Sequence, residues 1–215
     1  MSLQLVKRLL KREHNSASFE KLIDKYYSRF DRRHRMIMQA YCAAEDAFAS
    51  TYRESGDKYF EHLRAVALIL IEYLRVRDHE LIVVALLHDI VEDIDGWTYE
   101  RIAREYTERI ADLVWWLTKP SVAHFKNEAE RDRHYNQQLH ERAPREAVIV
   151  KLADRLHNLV TMWDVSAGKR ARKIAETESF YLPLAVREMV LIHEMEAILD
   201  ELKNGHKPVK RGGAT

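Results

Sequence analysis

Cysteine occurs once in the chain, at Cys42, which excludes an intramolecular disulfide and fits a reducing compartment. Proline and glycine are scarce, at 4 and 6 copies, so a turn-rich β architecture is not expected. No apolar run reaches the roughly 20 residues needed to span a bilayer. Excess charge is absent too: the formal net charge is +1, which gives no global pull toward nucleic acid or a membrane. The opening MSLQLVKRLLKREHN is amphipathic and interrupted by Lys7, Arg8, Lys11 and Arg12; it lacks the apolar region and cleavage site of a signal peptide. What is present is a hydrophobic fraction of 47% and a charged fraction of 32%. That balance suits a globular cytoplasmic protein able to bury a sizeable core.

Helical spacing of apolar residues runs through the chain, and no strand pattern, repeat or GxGxxG interrupts it. The spacing predicts a helix over residues 18–30, with Phe19, Leu22, Ile23, Tyr26, Tyr27 and Phe30 inward. The basic RFDRRHR cluster after it reads as a solvated face, or less simply as a phosphate contact. A helix over 35–51 places Met38, Tyr41, Ala44, Ala47 and Phe48 inward, and YRESGD forms a loop turned by Gly56. Residues 59–74 are helical, with His62 beside the buried stripe. Thr98 suits an N-cap, Pro120 stops a helix, and Pro144 suits the first turn of another. ERDRHYNQQLHER reads as an exposed helix, and Ala167-Gly168-Lys169 as a break. Two helices fit 173–203, broken near Pro183, with Leu182, Met189, Ile192, Leu199 and Leu202 as a stripe. The expected architecture is all-α: one helical bundle of roughly ten helices over residues 1–204, the first fifty forming an N-terminal extension, followed by a disordered tail over 205–215.

The chain is organised around ELIVVALLHDIVEDID, residues 80–95. Leu81, Ile82, Val83, Val84, Ala85, Leu86 and Leu87 leave no polar face, so as a helix this is a central, buried one. At its end stand His88 and Asp89, then Glu92 and Asp93 one turn later. On a continuous helix His88 stacks over Glu92 and Asp89 over Asp93. Four ionisable groups at the inner end of a buried helix are costly unless neutralised, and a metal ion is the usual answer. The plain alternative is a solvated helix end with one paired histidine.

A second acid lies in KLADRLHNLVTM. Asp154 shares a helix face with Asn158 and Thr161, while Lys151, Arg155 and His157 point elsewhere around the helix. Its partner is either a cation or one of the bases Arg155 and Lys151. His62, taken alone, would usually be a satisfied core histidine. Together, His62, His88, Asp89 and Asp154 come from three helices that can converge in a bundle core. Two imidazoles and two carboxylates suit Mn²⁺, Fe²⁺ or Zn²⁺ better than Ca²⁺.

This ordered set, His62, then His88-Asp89, then Asp154, resembles the H…HD…D pattern of the HD-domain metal phosphohydrolases. GDKYFEHLRAVALIL, LLHDIVEDIDGWTYERI, VKLADRLHNLVTM and ETESFYLPLA resemble the hydrolase domain of RelA/SpoT-type alarmone enzymes, covering roughly Tyr52 to Ala185. In extent the chain resembles a stand-alone small alarmone hydrolase. The resemblance implies that His62, His88, Asp89 and Asp154 hold one Mn²⁺, and that Glu92 and Asp93 orient and deprotonate the attacking water. It further implies that Arg53 stacks on the guanine base, with Ser55 and Gly56 shaping its loop. By the same resemblance, Asn158 and Thr161 are expected to contact sugar and phosphates, with Lys151 beside them on the substrate side. The implied reaction removes the 3′-pyrophosphate of ppGpp or pppGpp.

Departures from the family are specific: Leu63 and Lys58 stand where it usually has proline, and VREMVLI replaces its His-Arg-Leu-Gly segment. Two other readings accompany the first. One keeps the metal site but changes the substrate to another ribose-phosphorylated nucleotide, such as NADPH or an adenosine alarmone. The other is a non-catalytic or antitoxin-like regulator. The expected partner is the small nucleotide, with no nucleic acid or membrane, and the first fifty residues read as a helical cap or a homodimer surface.

Overall fold

The computed structural model describes residues 2–11 and 15–205, and among them every regular element is helical. The chain opens with α1 (Leu3–Leu10), α2 (Ser16–Asp24) and α3 (Arg32–Ala47). Next come α4 (Tyr59–Leu68), extended by a π-helical turn Ile69–Tyr73, then α5 (His79–Leu87) and the single-turn α6 (Ile90–Asp93). The middle holds α7 (Tyr99–Glu105), α8 (Glu108–Leu117) and α9 (Glu128–Glu141). The last third consists of α10 (Arg145–Val160), α11 (Ala167–Glu176) with a π-helical turn Thr177–Tyr181, α12 (Leu182–Glu188) and α13 (Ile192–Lys203). No helix among the described residues is long and apolar enough to cross a membrane.

The all-apolar run becomes α5, and its position follows from its composition. With no polar face to give to water, the helix is enclosed by α3, α4, α8 and α10. All seven side chains from Leu81 to Leu87 are buried. Each fully buried large aliphatic side chain contributes about 1.5–3 kcal/mol by leaving water, so this helix anchors the core. Its N-terminus is fixed separately: Asp78 Oδ1 accepts from Glu80 N at 3.0 Å, an N-cap. Arg109 from α8 then clamps Asp78 at 2.7 Å and Glu80 at 2.6 Å, and the Thr107 hydroxyl donates to Glu80 at 2.8 Å.

Several boundaries differ from those the sequence suggests. The helix expected over 18–30 is α2, started by a capping box between Asn15 and Ser18 and already over at Asp24. Phe30 therefore lies outside it, 92% exposed. The next helix begins at Arg32 because Asp31 caps it, and it ends at Ala47. Its core residues include Met36 and Ile37, while Met38 is half-buried. Part of the basic cluster is internally satisfied, with Arg29 bound to Asp24 and Arg33 to Asp31.

The chain does not break at residues 167–169. Ser166 Oγ accepts from Lys169 N at 3.3 Å, so Ala167, Gly168 and Lys169 are the first turn of α11. Nor does Pro183 break the chain, since it occupies the opening turn of α12, where no intrahelical donor is required. The break falls at Met189 and Leu191, which adopt left-handed φ of 55° and 59°. Met189 is consequently 83% exposed rather than part of the stripe; Leu184 and Ala185 are buried instead. Thr98 caps α7 as expected, accepting from Arg101 N at 3.2 Å. The tail expected to be disordered lies, from residue 206, outside the described residues.

Candidate metal centre

The apolar helix α5 opens where its polar residues begin. His88 closes α5, and Asp89, at φ −102° and ψ −2°, separates it from α6. The four ionisable groups therefore do not form two stacked pairs along one continuous helix. His88 is fully buried, whereas Glu92 and Asp93 lie exposed on the following turn. The His88 Nδ1–H donates to the Ala85 carbonyl at 2.8 Å. Its Nε2 then points into the interior, buried and without a hydrogen-bond partner.

Around that nitrogen the three helices converge. His88 Nε2 lies 3.3 Å from Asp89 Oδ2 and 3.9 Å from Asp154 Oδ1. His62 Nε2, from α4, lies 3.2 Å from Asp154 Oδ1 and 3.7 Å from Asp89 Oδ2. Ligand atoms of His62, His88 and Asp154 all fall within 4.8 Å of one another. This is a buried, mixed nitrogen and oxygen set with one orphaned donor atom, and it fits a divalent cation. The second carboxylate, Asp89, borders the same space and accepts from the Tyr59 hydroxyl at 2.8 Å.

The site's charges are strongly interdependent. Burial opposes charge on His88, yet Asp89 and Asp154 outweigh it and raise the imidazole pKa to about 9. Burial would raise Asp154, but Lys151 and the two imidazoles hold it well below the usual carboxylate range. His62 is pushed down by burial, with Asp154 partly opposing. Asp93 is pushed up to about 6 by partial burial and by the Asp89 carboxylate. The carboxylates thus favour a positive charge in this space, and a metal ion or an imidazole proton supplies it.

Helix α10 carries more of the site than its i+4 spacing suggests. Asn158 Nδ2 donates to Asp154 Oδ1 at 2.5 Å, and Arg53 reaches Asn158 Oδ1 at 2.5 Å and Thr161 Oγ1 at 3.3 Å. Lys151 and His157 do not point away. Lys151 Nζ lies 2.9 Å from Asp154 Oδ2, and His157 Nδ1 lies 2.8 Å from His62 Nδ1. Both are three residues from Asp154, and residues at that spacing share a helix face. The spacing was therefore a signal for both.

A cleft of about 410 Å³ opens over this centre. Its mouth includes the YRESG loop, where Gly56 takes φ 86° and Tyr52 bridges to Lys58. Ser55 faces the cleft with its hydroxyl bound to Asp57 at 2.8 Å. Glu92 also lines the cleft, its Oε2 accepting from the backbone N–H of Lys119 at 3.1 Å. Lys119, Lys151, Arg155, Lys169 and Lys173 furnish a basic wall, each paired with a carboxylate: Asp132, Asp154, Glu176, Glu54 and again Glu176. Tyr59 stands three residues before His62 on α4, so spacing was a signal for it too; Lys119, Lys169 and Lys173 meet the site only through the packing of separate elements.

Comparison with known proteins places this geometry in context. An HD domain family matches residues 40–191. A guanosine-3′,5′-bis(diphosphate) 3′-pyrophosphohydrolase of Aquifex aeolicus is 37% identical over 172 residues, 79% of this chain and 24% of the relative. The bifunctional (p)ppGpp synthase/hydrolase SpoT of Escherichia coli is 35% identical over 170 residues, 78% of this chain and 24% of the relative. This chain thus spans about a quarter of the length of these relatives. A solved structure described as a metazoan ortholog of SpoT that hydrolyses ppGpp shares the fold, with TM-score 0.66 and 20% identity over 85% of this chain and 100% of that one.

Proposed function

The chain belongs to the HD-domain family, and from that premise we propose that it removes the 3′-pyrophosphate of ppGpp and pppGpp with one Mn²⁺ ion. The observation that carries this reading is the cleft, floored by His62, Asp89 and Asp154 and lined by five cationic side chains. Such a pairing suits a substrate with several phosphates, because a basic wall neutralises the charge that a carboxylate-lined floor would repel. The activity of the two bacterial relatives supports the choice of nucleotide.

His62, His88, Asp89 and Asp154 would hold the ion. When bound, it would polarise the phosphoryl group under attack and make the attacking water more acidic. Glu92 and Asp93 accept the water's proton, a role in keeping with an Asp93 pKa near 6. Tyr59, through its hydrogen bond, holds the Asp89 carboxylate in place. As the water oxygen bonds to phosphorus, the bond from that phosphorus to the ribose 3′-oxygen breaks. The 3′-oxygen takes up a proton, leaving GDP or GTP and pyrophosphate.

Arg53 orients the guanine base at the mouth, its guanidinium steadied by Asn158 and Thr161 and its loop shaped by Ser55 and Gly56. Asn158 and Thr161 also meet the sugar and phosphates, and Lys151 adds positive charge beside them. Purified protein given Mn²⁺ and ppGpp is expected to release GDP and pyrophosphate in equal amounts. Failure to form GDP would overturn the proposal.

A further inference from the structure

His157 is buried on α10 and has no role in the scheme above. Its Nδ1 faces two groups at once: His62 Nδ1 at 2.8 Å and Arg53 Nη1 at 3.4 Å. A guanidinium has donors and no acceptor, so the nitrogen that Arg53 addresses must be an acceptor. The single proton between the two imidazoles then resides on His62 Nδ1, which donates to His157. A neutral imidazole protonated at Nδ1 is bare at Nε2, and His62 Nε2 is the atom facing Asp154 and Asp89.

We infer that His157 is a positioning residue: by accepting from His62 Nδ1, it fixes the tautomer and ring orientation that present His62 Nε2 to the metal ion. The inference rests on the reading of His62 as a ligand and adds a residue that the spacing of H…HD…D does not contain. It gives the two histidines matching supports. His88 Nδ1 donates to the Ala85 carbonyl, His62 Nδ1 donates to a second imidazole, and both rings offer Nε2 to the same space. Arg53 thereby couples the mouth of the cleft to its floor, since the guanidinium that steadies the mouth also holds His157 as an acceptor. Groups that orient a ligating histidine in this way typically change metal affinity by 10–100-fold on removal.

The test uses the full chain and Mn²⁺ binding, followed by the electron paramagnetic resonance of the free ion. His157→Leu removes the acceptor and is expected to weaken Mn²⁺ binding about 10–100-fold, whereas His157→Gln retains an acceptor oxygen and should recover most of the affinity. A folded His157→Leu variant that binds Mn²⁺ as tightly as the wild type would overturn the inference while leaving the proposed function standing. A wild type that takes up none of Mn²⁺, Fe²⁺ or Zn²⁺ would overturn both. If His157→Leu does not fold by circular dichroism, long-range ¹H–¹⁵N spectra of the cation-free wild type decide the matter. His157 protonated at Nε2 is the expected tautomer, and protonation at Nδ1 overturns the inference.

Discussion

Asp89 and Glu92 stand three residues apart, yet the opening of the helix between them gives them different surroundings. Asp89 borders both imidazoles in the buried centre, while Glu92 stays exposed and bonds to the Lys119 backbone at the cleft wall. Replacing Asp89 by Ala should abolish both Mn²⁺ binding and turnover. Glu92→Gln should bind Mn²⁺ normally and lose about 10²–10⁴-fold in kcat; calorimetric titration beside turnover assays separates the two. Asp93 sets the expected pH dependence. Its pKa is raised to about 6, and only the ionised form accepts a proton. A cation on Asp89 offsets part of that rise, so turnover at saturating Mn²⁺ should climb with pH along a limb at or below about 6, and Asp93→Asn should lower the rate and remove that limb. A limb that persists unchanged in Asp93→Asn would contradict this role.

At the scale of elements, α5 is held by its apolar length and by a polar clamp at its start. Arg109 ties the Asp78 cap and Glu80 to α8, so it fixes the register from which His88 projects. Burial acts to raise both carboxylates, and Arg109 outweighs it, leaving both below their usual values. Groups whose pKa is depressed by folding stabilise the protein above their unfolded pKa and lose that contribution as pH falls through the folded value. Arg109→Ala should cost about 1 kcal/mol at neutral pH, a modest figure because the guanidinium is 42% exposed. The gap between wild type and variant should close as pH drops below about 4. Urea unfolding at several pH values measures it, and a gap that widens in acid would contradict the assignment.

At the scale of the whole molecule, the near-neutral net charge is repeated inside the cleft, where each cation of the wall is paired with a carboxylate for which a polyphosphate would compete. The basic wall comes from the segment after α8 and from α10 and α11, while the acids and imidazoles of the floor come from α4, the α5–α6 junction and α10. Substrate capture by such a wall is electrostatic and screened by salt, with a Debye length of about 8 Å at 0.15 M. KM for ppGpp should therefore rise several-fold between about 0.05 M and about 0.5 M salt, with a smaller change in kcat. Steady-state kinetics across that range test it, and a salt-independent KM would remove the wall from the binding step.

The all-α class was legible because helical periodicity is a local property, as was the burial of α5, whose residues 81–87 offer water nothing. The order of His62, His88, Asp89 and Asp154 was legible as a motif, and α4, α5 and α10 do bring these residues together. The helix ends were less so: Pro183 reads as a break, but the π-helical turn before it carries the chain into α12, and the break waits for two left-handed residues. Local sequence thus determined which segments are helical and which side chains are candidates for the chemistry. Tertiary structure alone decided the partners. The bond from His62 to His157, the Tyr59 hydroxyl on Asp89, the reach of Arg53 to Asn158 and the basic wall all join residues from separate elements. Periodicity specifies the face a residue occupies on its own helix, and only the packing of helices specifies what that face meets.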